Sequence, residues 1–564
     1  MKKSFYIMLF AALVSITSSC SKKISGLTEE HFSVTPQVLE AVGGQVPFTI
    51  DGRFPAKFLH KKSVVEVTPV LKWNNGKAEG DKYVFQGESV QGNEKVISYK
   101  RGGRFSIKES FRYVPEMERS ELFLNVSVKK GSKKLSEFSV KVADGVNSTS
   151  ELLSSLLKKA NLTVAEDRFQ RIIQEKKDAN IMFLVNQANI RATETKTANK
   201  FTQDVKDVDD SENKRVKNIE ISAYASPEGK LDLNTKLAEN REKNTAKLLN
   251  ANIKKNNIED VYVDTKYTAE DWEGFRELVE KSNIPDKHLI LRVLAMYTDP
   301  AQREQEIRNI SSVYQSLADD ILPQLRRSRI TLNYEIIGKT DHEIKTFAEK
   351  SPSKLNVEEF LYAATLTDND AEKETIYKNV VKHFPNDYRA LNNLAVLAYK
   401  KGNVEQASEY LRNSMKVQDA PEVNSNLGVI SLLKGNKEVA EEFIGRASGS
   451  KGIESVMGKL YLSKGAYDKA ALIFGDEASN ISALAHILNK NYNKAEKTLT
   501  EVANPDGYTF YLLSIVGART NNVIKVVDNL RKAFVRSPEL KNRALNDLEF
   551  VKFYNTSAFI SLMN

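Results

Sequence analysis

Between residue 27 and about residue 145, apolar side chains recur at every second position. The stretches VPFTIDGRF, SVVEVTPVLKW, KVISYKRGGRFSI and SELFLNVSVKK alternate Val, Ile, Phe and Tyr with polar residues, and NNGK, RGGR and KKGSKK separate them as turns. Strands of this kind have one face to bury and one to wet, so they predict an antiparallel sandwich. At NSTSELLSSLLKKANLTVAEDRF the period lengthens to that of a helix, with Ser148 or Thr149 as N-cap. Residues 147–177 therefore read as a helical connector. Beyond it ANIMFLVNQANI, RVKNIEISAYAS, IEDVYVDTKY and RRSRITLNYEII read as strands with helices between them. The order βαβαβ, a helical stretch and a last strand predicts a compact α/β sandwich.

From residue 355 the rhythm changes again. ALNNLAVLAYKKGNVEQASEYLRNSM, VNSNLGVISLLKGNKEVAEEFIGRA, SVMGKLYLSKGAYDKAALIFG and ALAHILNKNYNKAEKTLTEV align on a short turn followed by a helix bearing a small residue. The turn glycines are Gly402, Gly435 and Gly465, at intervals of 33 and 30 residues, and the small residues are Ala407, Ala440, Ala470 and Ala495. These intervals are close to a helix-turn-helix repeat of about 34 residues. Glycine supplies the left-handed turn, and alanine lets paired helices approach. The array resembles the tetratricopeptide (TPR) family, with Asn426, Leu427 and Gly428 matching its first-helix pattern. Five to six repeats are expected, including weak ones near residues 355 and 507. The resemblance implies a stacked solenoid whose concave face binds peptides or protein partners.

With 564 residues, 41% hydrophobic and 28% charged, and no long Gly/Ser or Pro tract, the chain is folded and multidomain. Its first twenty residues combine Lys2 and Lys3, a ten-residue apolar run from Phe5 to Val14 and small residues before Cys20. That run is too short to span a bilayer, so it reads as an export signal. Its removal takes the formal charge from +9 to +7, a modest excess that suits anionic wall and lipid headgroups. No basic stripe interleaved with aromatics marks a nucleic-acid partner. Cys20 is the only cysteine, which excludes an intramolecular disulfide. Its place directly after TSS resembles the lipobox of bacterial lipoproteins, with Thr17 where Leu is usual. This resemblance, of a Bacteroidota type, implies acylation of the thiol and attachment to outer-membrane lipid.

In KNIEISAYAS, Ile219, Ile221, Ala223 and Ala225 face one way, and Glu220, Ser222, Tyr224 and Ser226 the other. Pro227 and Gly229 end the strand in a turn. On the next helix Asn234 and Arg241 lie two turns apart on one face, and Leu237 and Thr245 flank Arg241 at four-residue spacing. An arginine on the edge of an apolar stripe needs an anionic partner, either a carboxylate such as Glu228 or Asp232 or that of a ligand. The run AYAS…NTKLAENR resembles the OmpA-like peptidoglycan-binding domain, and LRRSRITLNYEI from Leu325 resembles that family's approach to its last strand. The resemblance implies a stem-peptide site for zwitterionic diaminopimelate, in which a strand-end Asp takes the ammonium and the helix Arg the carboxylate. Here Arg241 is kept, the Asp position is Ser226, and Glu228 is the acid placed to replace it. The site residues expected on this basis are Tyr224, Ser226, Glu228, Asn234 and Arg241.

Catalysis finds no foothold in the pattern. His31, His60, His288, His342, His383 and His486 are scattered, with no metal-ligand spacing, and GKT at 338–340 lacks the upstream glycine of a phosphate-binding loop. No catalytic residue, metal or cofactor is expected. Trp272 and Phe275, in the long segment before the last strand, are expected to fill core.

The expected organisation is a signal peptide at 1–20, an immunoglobulin-like β-sandwich at 21–146, the helical connector at 147–177, an OmpA-like α/β domain at 178–342 and an all-α TPR-like solenoid at 355–564. The expected function is that of an outer-membrane lipoprotein, on the periplasmic face, which binds peptidoglycan and recruits an envelope protein through its repeats. The alternative is an accessory or assembly scaffold for fimbriae or a secretion complex, with the OmpA-like domain structural only. Replacing Cys20 by Ser is expected to move the protein from the membrane pellet to the soluble fraction. Unchanged fractionation would refute acylation.

Overall fold

The computed structural model describes residues 27–564 except 229 and 285, and for residues 311–313 the backbone alone. The signal segment and Cys20 lie outside the described residues. Two compact units divide the chain, one formed by residues up to Glu166 together with Tyr377–Asn564, the other by Asp167–Ile376.

The first unit begins with β1 (Phe32–Thr35), β2 (Val38–Glu40), β3 (Gln45–Phe54), β4 (Val64–Trp73), β5 (Gly76–Glu79), β6 (Tyr83–Gly87), β7 (Lys95–Ile97), β8 (Gly103–Arg112), β9 (Ser120–Lys130) and β10 (Lys133–Asn147). One sheet runs β1-β3-β8 and the other β2-β10-β9-β4-β6-β7, with β5 beside β4. Period-2 alternation puts Val46, Phe48, Ile50 and Phe54 of β3 into a single core with Val65, Val67, Leu122 and Leu124. Gly52 interrupts that column because the Phe105 ring lies only 2.2 Å from where its Cβ would stand. Most pairings are antiparallel, as the pattern predicts. The pairs β2 with β10 and β6 with β7 are parallel, a choice that alternation does not encode. Past β10 come a 3₁₀ turn, Thr149–Glu151, and the short helix α1 (Leu152–Leu157).

The second unit is built from β11 (Ile172–Met182), α2 (Ala192–Asp209), β12 (Lys214–Tyr224), α3 (Leu231–Lys255), β13 (Val263–Thr268), a helical stretch of α4 (Trp272–Lys281), α5 (Lys287–Met296), α6 (Pro300–Asn309), α7 (Ser311–Ser316) and α8 (Leu322–Leu325), and β14 (Arg327–Ile337). The sheet order is β11-β14-β12-β13, with β14 antiparallel to both neighbours and β13 parallel to β12. Helices α2 and α3 cover one face, where Phe201, Val205, Leu249 and Ile253 meet Ile181, Ile219, Ile221, Ile330 and Leu332. The opposite face is polar, and there Asn333 Nδ2 donates to Asn218 Oδ1 and Glu220 Oε1, both at 3.0 Å. The helical stretch has its own core around Phe275, Val279, Ile290 and Leu325, and Trp272 meets Phe275 edge-on at 5.7 Å. Strand β11 starts upstream of the residues that read as a strand, because its first residues are mostly exposed and present no apolar column. After β14 come α9 (Asp341–Lys350), α10 (Val357–Ala363) and α11 (Asp370–His383), and Thr340 of the GKT run forms a capping box with Glu343 at the start of α9.

Five antiparallel hairpins follow: α12 (Tyr388–Lys400) with α13 (Val404–Val417), α14 (Pro421–Leu433) with α15 (Lys437–Arg446), α16 (Ile453–Ser463) with α17 (Tyr467–Phe474), α18 (Asn480–Leu488) with α19 (Tyr492–Thr500), and α20 (Gly507–Arg519) with α21 (Val523–Arg536). This array is TPR-like. Its left-handed turn residues are Gly402, Gly435 and Gly465, and then Lys490 and Asn521, which is why the last two hairpins lack the glycine signature. Ala407, Ala440, Ala470 and Ala495 are fully buried, and a Cβ on Gly428 would stand 2.6 Å from Ile444 Cγ1, so the paired helices approach closely. The weak repeat expected near residue 355 is instead α10, within the second unit.

The connector differs most from expectation. Helix is confined to Thr149–Leu157, and residues 160–166 have no regular structure. Their backbone groups bond to asparagines on the first helices of the hairpins. Thr163 N donates to Asn426 Oδ1 at 2.7 Å, and Thr163 O accepts from Asn426 Nδ2 at 2.8 Å and Asn392 Nδ2 at 3.0 Å. Ala165 N donates to Asn393 Oδ1 at 2.8 Å, and Ala165 O accepts from Asn393 Nδ2 at 2.9 Å. Leu152, Leu156, Leu157 and Leu162 complete the repeat core beside Leu427, Leu460 and Leu484. A helix over 160–166 would forfeit these bonds, which is why helical periodicity does not prevail there.

The sandwich is tied to the same array. Lys437 Nζ donates to Gly43 O at 2.6 Å, Ser150 Oγ to Ala41 O at 2.8 Å, and Glu549 accepts from both Thr149 Oγ1 and Arg519. Replacing Asn426 by Ala strands the Thr163 N–H and leaves Asn392 Oδ1 without its Asn426 donor, at about 2 kcal/mol. Hydrogen exchange at the Thr163 amide is then expected to rise by roughly thirtyfold, while exchange within β3 and β9 stays unchanged.

Candidate functional site

Strand β12 ends at Tyr224 because Pro227 cannot continue the ladder, and the turn delivers the chain to α3 with Asn234 and Arg241 on the helix face that meets the sheet. Asn234 is buried, and its Nδ2 donates to Ser226 O at 3.2 Å, tying the turn to the helix. Ser226 is buried too, and its Oγ donates to Glu228 Oε1 at 2.7 Å.

Arg241 is only 1% exposed. Its guanidinium donates to three backbone carbonyls: Nε to Gln187 O at 3.0 Å, Nη1 to Tyr224 O at 2.9 Å and Nη2 to Leu184 O at 3.2 Å. The Phe183 ring lies 5.1 Å from Cζ. Burial, and then the neighbouring charge of Arg326, pushes its pKa down to about 10, against the opposing pull of Glu228. Neither Glu228 nor Asp232 bonds it directly. Three carbonyl dipoles take the place of a carboxylate, and the residue pins the loop after β11, where Asn244 Nδ2 also donates to Ala188 O at 2.9 Å.

Glu228 serves two other arginines. Arg326 Nε reaches Glu228 Oε1 at 3.0 Å and Nη2 lies 2.9 Å from the same oxygen, while Arg308 Nη2 donates to Glu228 O at 2.7 Å. Beside them Arg327 pairs with Asp271 at 2.8 Å, and its Cζ lies 5.1 Å from the Tyr224 ring centre. Burial raises the Asp271 pKa and lowers that of Arg327, because both charges are withdrawn from water.

The five expected site residues are thus brought together, through the carbonyls of Tyr224 and Ser226 and the Ser226–Glu228 side-chain bond, with the acid and the guanidinium held by different partners. The sequence reading did not assign Arg308, Arg326, Arg327 and Asp271 to this cluster. The available signal was the Arg-Arg pair opening a buried strand, since two guanidinium groups there require two acids. Among the described residues no group of three or more His, Cys, Asp or Glu converges as a metal ion would need, and no helix is long and apolar enough to cross a membrane.

No family model matches the chain, and no curated protein does. Solved structures that align with part of the chain include a tetratricopeptide repeat protein from Parabacteroides merdae, 15% identical, covering 40% of this chain and 89% of that one at TM-score 0.28. The Cut9-Hcn1 assembly of the APC/C is 12% identical, covering 60% and 66% at TM-score 0.32. PilW, a type IV pilus biogenesis factor, is 10% identical, covering 40% and 98% at TM-score 0.26.

Replacing Arg241 by Lys keeps the charge but loses the fork that serves three carbonyls, and is expected to cost roughly 3 kcal/mol. Amide exchange across residues 184–190 reports it, and wild-type protection in the Lys variant would contradict the role of Arg241 as a pin.

Proposed function

We propose that the chain is a non-enzymatic assembly scaffold of a Gram-negative envelope, fixed to the outer membrane by a lipid on Cys20 and facing the periplasm, whose repeat array holds a protein partner. The observation that carries this reading is the grip on residues 163–165. Asparagine amides on successive first helices bond both the N–H and the C=O of an extended backbone, so the face is chemically equipped to hold polypeptide. The sandwich, joined to the array, supplies a rigid flank.

In this reading the central unit is OmpA-like and structural. Its order along the chain and the Asn234/Arg241 helix behind the second strand support the likeness. The carbonyl partners of Arg241 and the ion pair of Glu228 with Arg326 favour a supporting role over a wall clamp. Peptidoglycan binding is the second reading. It is favoured by the position of Glu228, which is bonded to Ser226 at the place where an acidic group for the diaminopimelate ammonium is missing.

Tagged full-length protein purified from lysozyme-digested envelopes is expected to carry a stoichiometric protein partner, and recovery of the chain alone overturns the scaffold reading. Sedimentation with purified sacculi separates the second reading. The scaffold reading expects the protein in the supernatant, whereas co-sedimentation abolished by Glu228→Gln establishes wall binding.

A further inference from the structure

Counting back six residues from each left-handed turn residue, Gly402, Gly435, Gly465, Lys490 and Asn521, the first helices place Val396, Val429, Lys459, Leu484 and Ile515 in one column. Four of the five are apolar, as a column against the repeat core requires. Lys459 breaks the pattern, yet it is only 7% exposed. Its Nζ donates to Ser455 Oγ at 2.8 Å, and among the described residues no carboxylate stands within 4.0 Å of it. Burial lowers the amine's pKa, with the charge of Glu477 opposing. An ammonium held this way is costly, and a fold that needed only packing would keep the apolar column.

Lys459 lines a cavity of about 730 Å³ between residues 159–164 of the connector and the first helices α16 and α18. Of the other charges lining that cavity, two pairs are committed to one another, while among the described residues the Glu477 carboxylate accepts only from Ser479 Oγ, at 2.8 Å. Asp506 is held by Lys159 at 2.6 Å and by Asn480 Nδ2 at 3.1 Å, and Glu166 by Lys451 at 2.8 Å. Asn480 Oδ1, also buried, has no donor. In register with it on α12 stands Asn392, whose Oδ1 accepts from Asn426 Nδ2, while Asn393 and Asn426, one position further along their helices, accept backbone N–H groups of the connector. An ammonium with no carboxylate within 4.0 Å, lining a cavity of this size, is the complement of a segment that brings a carboxylate.

We propose that this cavity binds an extended segment of a partner protein that bears a carboxylate, with Lys459 taking the carboxylate. The segment lies along the first helices next to the chain's own connector. The inference rests on the reading of the array as a docking platform and adds the chemistry of what docks.

Full-length protein is probed on two arrays of random immobilised hexapeptides, one with free and one with amidated C-termini. Peptides carrying a carboxylate are expected to be enriched about tenfold over their Gln, Asn or amidated counterparts, a difference of roughly 1.4 kcal/mol. Enrichment on both arrays assigns a side-chain carboxylate, and enrichment on the free-terminus array alone assigns the chain terminus. Lys459→Met restores the apolar column, so it is expected to fold, to melt about 2 °C or more above wild type and to lose the carboxylate preference. Lys469→Met, on the exposed side of α17, is expected to keep it. Binding indifferent to carboxylates, a preference that survives Lys459→Met, or a lower melting temperature in that variant overturns the site. Co-purification of a partner alongside any of these results leaves the docking platform standing, so the two readings fail separately.

Discussion

Reciprocal hydrogen bonding between asparagine side chains and the backbone at Thr163 and Ala165 is the constraint on which the first unit depends. A primary amide presents a donor and an acceptor side by side, the same pair that a peptide unit offers along an extended strand. Burying Asn392, Asn393 and Asn426 among the apolar residues of the first helices would be destabilising without partners, and a polypeptide laid across them removes that penalty. The grip reads backbone and not side chains. The leucines of α1 and Leu162 then enter the repeat core, so the chain leaving the sandwich cannot be lifted from the array without opening apolar surface.

The second unit solves a comparable problem with the opposite chemistry. Arg241 carries a charge into the junction of β12, α3 and the loop after β11, and carbonyl oxygens disperse it. Around it, two further arginines from the start of β14 and the residue before it each take one acid, Arg326 with Glu228 and Arg327 with Asp271. Pairing Arg326 and Arg327 one-to-one with acids offsets the repulsion among the three guanidinium groups, of which Arg241 still feels the charge of Arg326. The residues that read along the sequence as half of a ligand clamp stand, in three dimensions, among these ion pairs.

Lys459 stands apart from both solutions. Arg241 has three acceptors and Asn392, Asn393 and Asn426 have partners for their amides, whereas the Lys459 amine has one hydroxyl and its side chain lines a cavity. The contrast separates it from Arg241 and from Asn392, Asn393 and Asn426.

Much of the architecture was legible in periodicity. Alternation at Val46, Phe48 and Ile50 determined a sandwich face, the alternation from Ile219 to Ala225 determined the covered face of β12, and the intervals between Gly402, Gly435 and Gly465 determined a helical-hairpin array. These are properties of consecutive residues, set by strand pleat, helix pitch and turn stereochemistry. The hairpins turning at Lys490 and Asn521 were harder to see, because a left-handed turn can be made without glycine. Three matters were settled only by the tertiary structure: that the connector unwinds after Leu157, that Arg241 spends its donors on carbonyls, and that β2 and β10 pair in parallel. Each depends on partners distant in the chain, from Thr163 to Asn426 or Arg241 to Gln187, and local propensity carries no information about which distant group will supply the competing hydrogen bond.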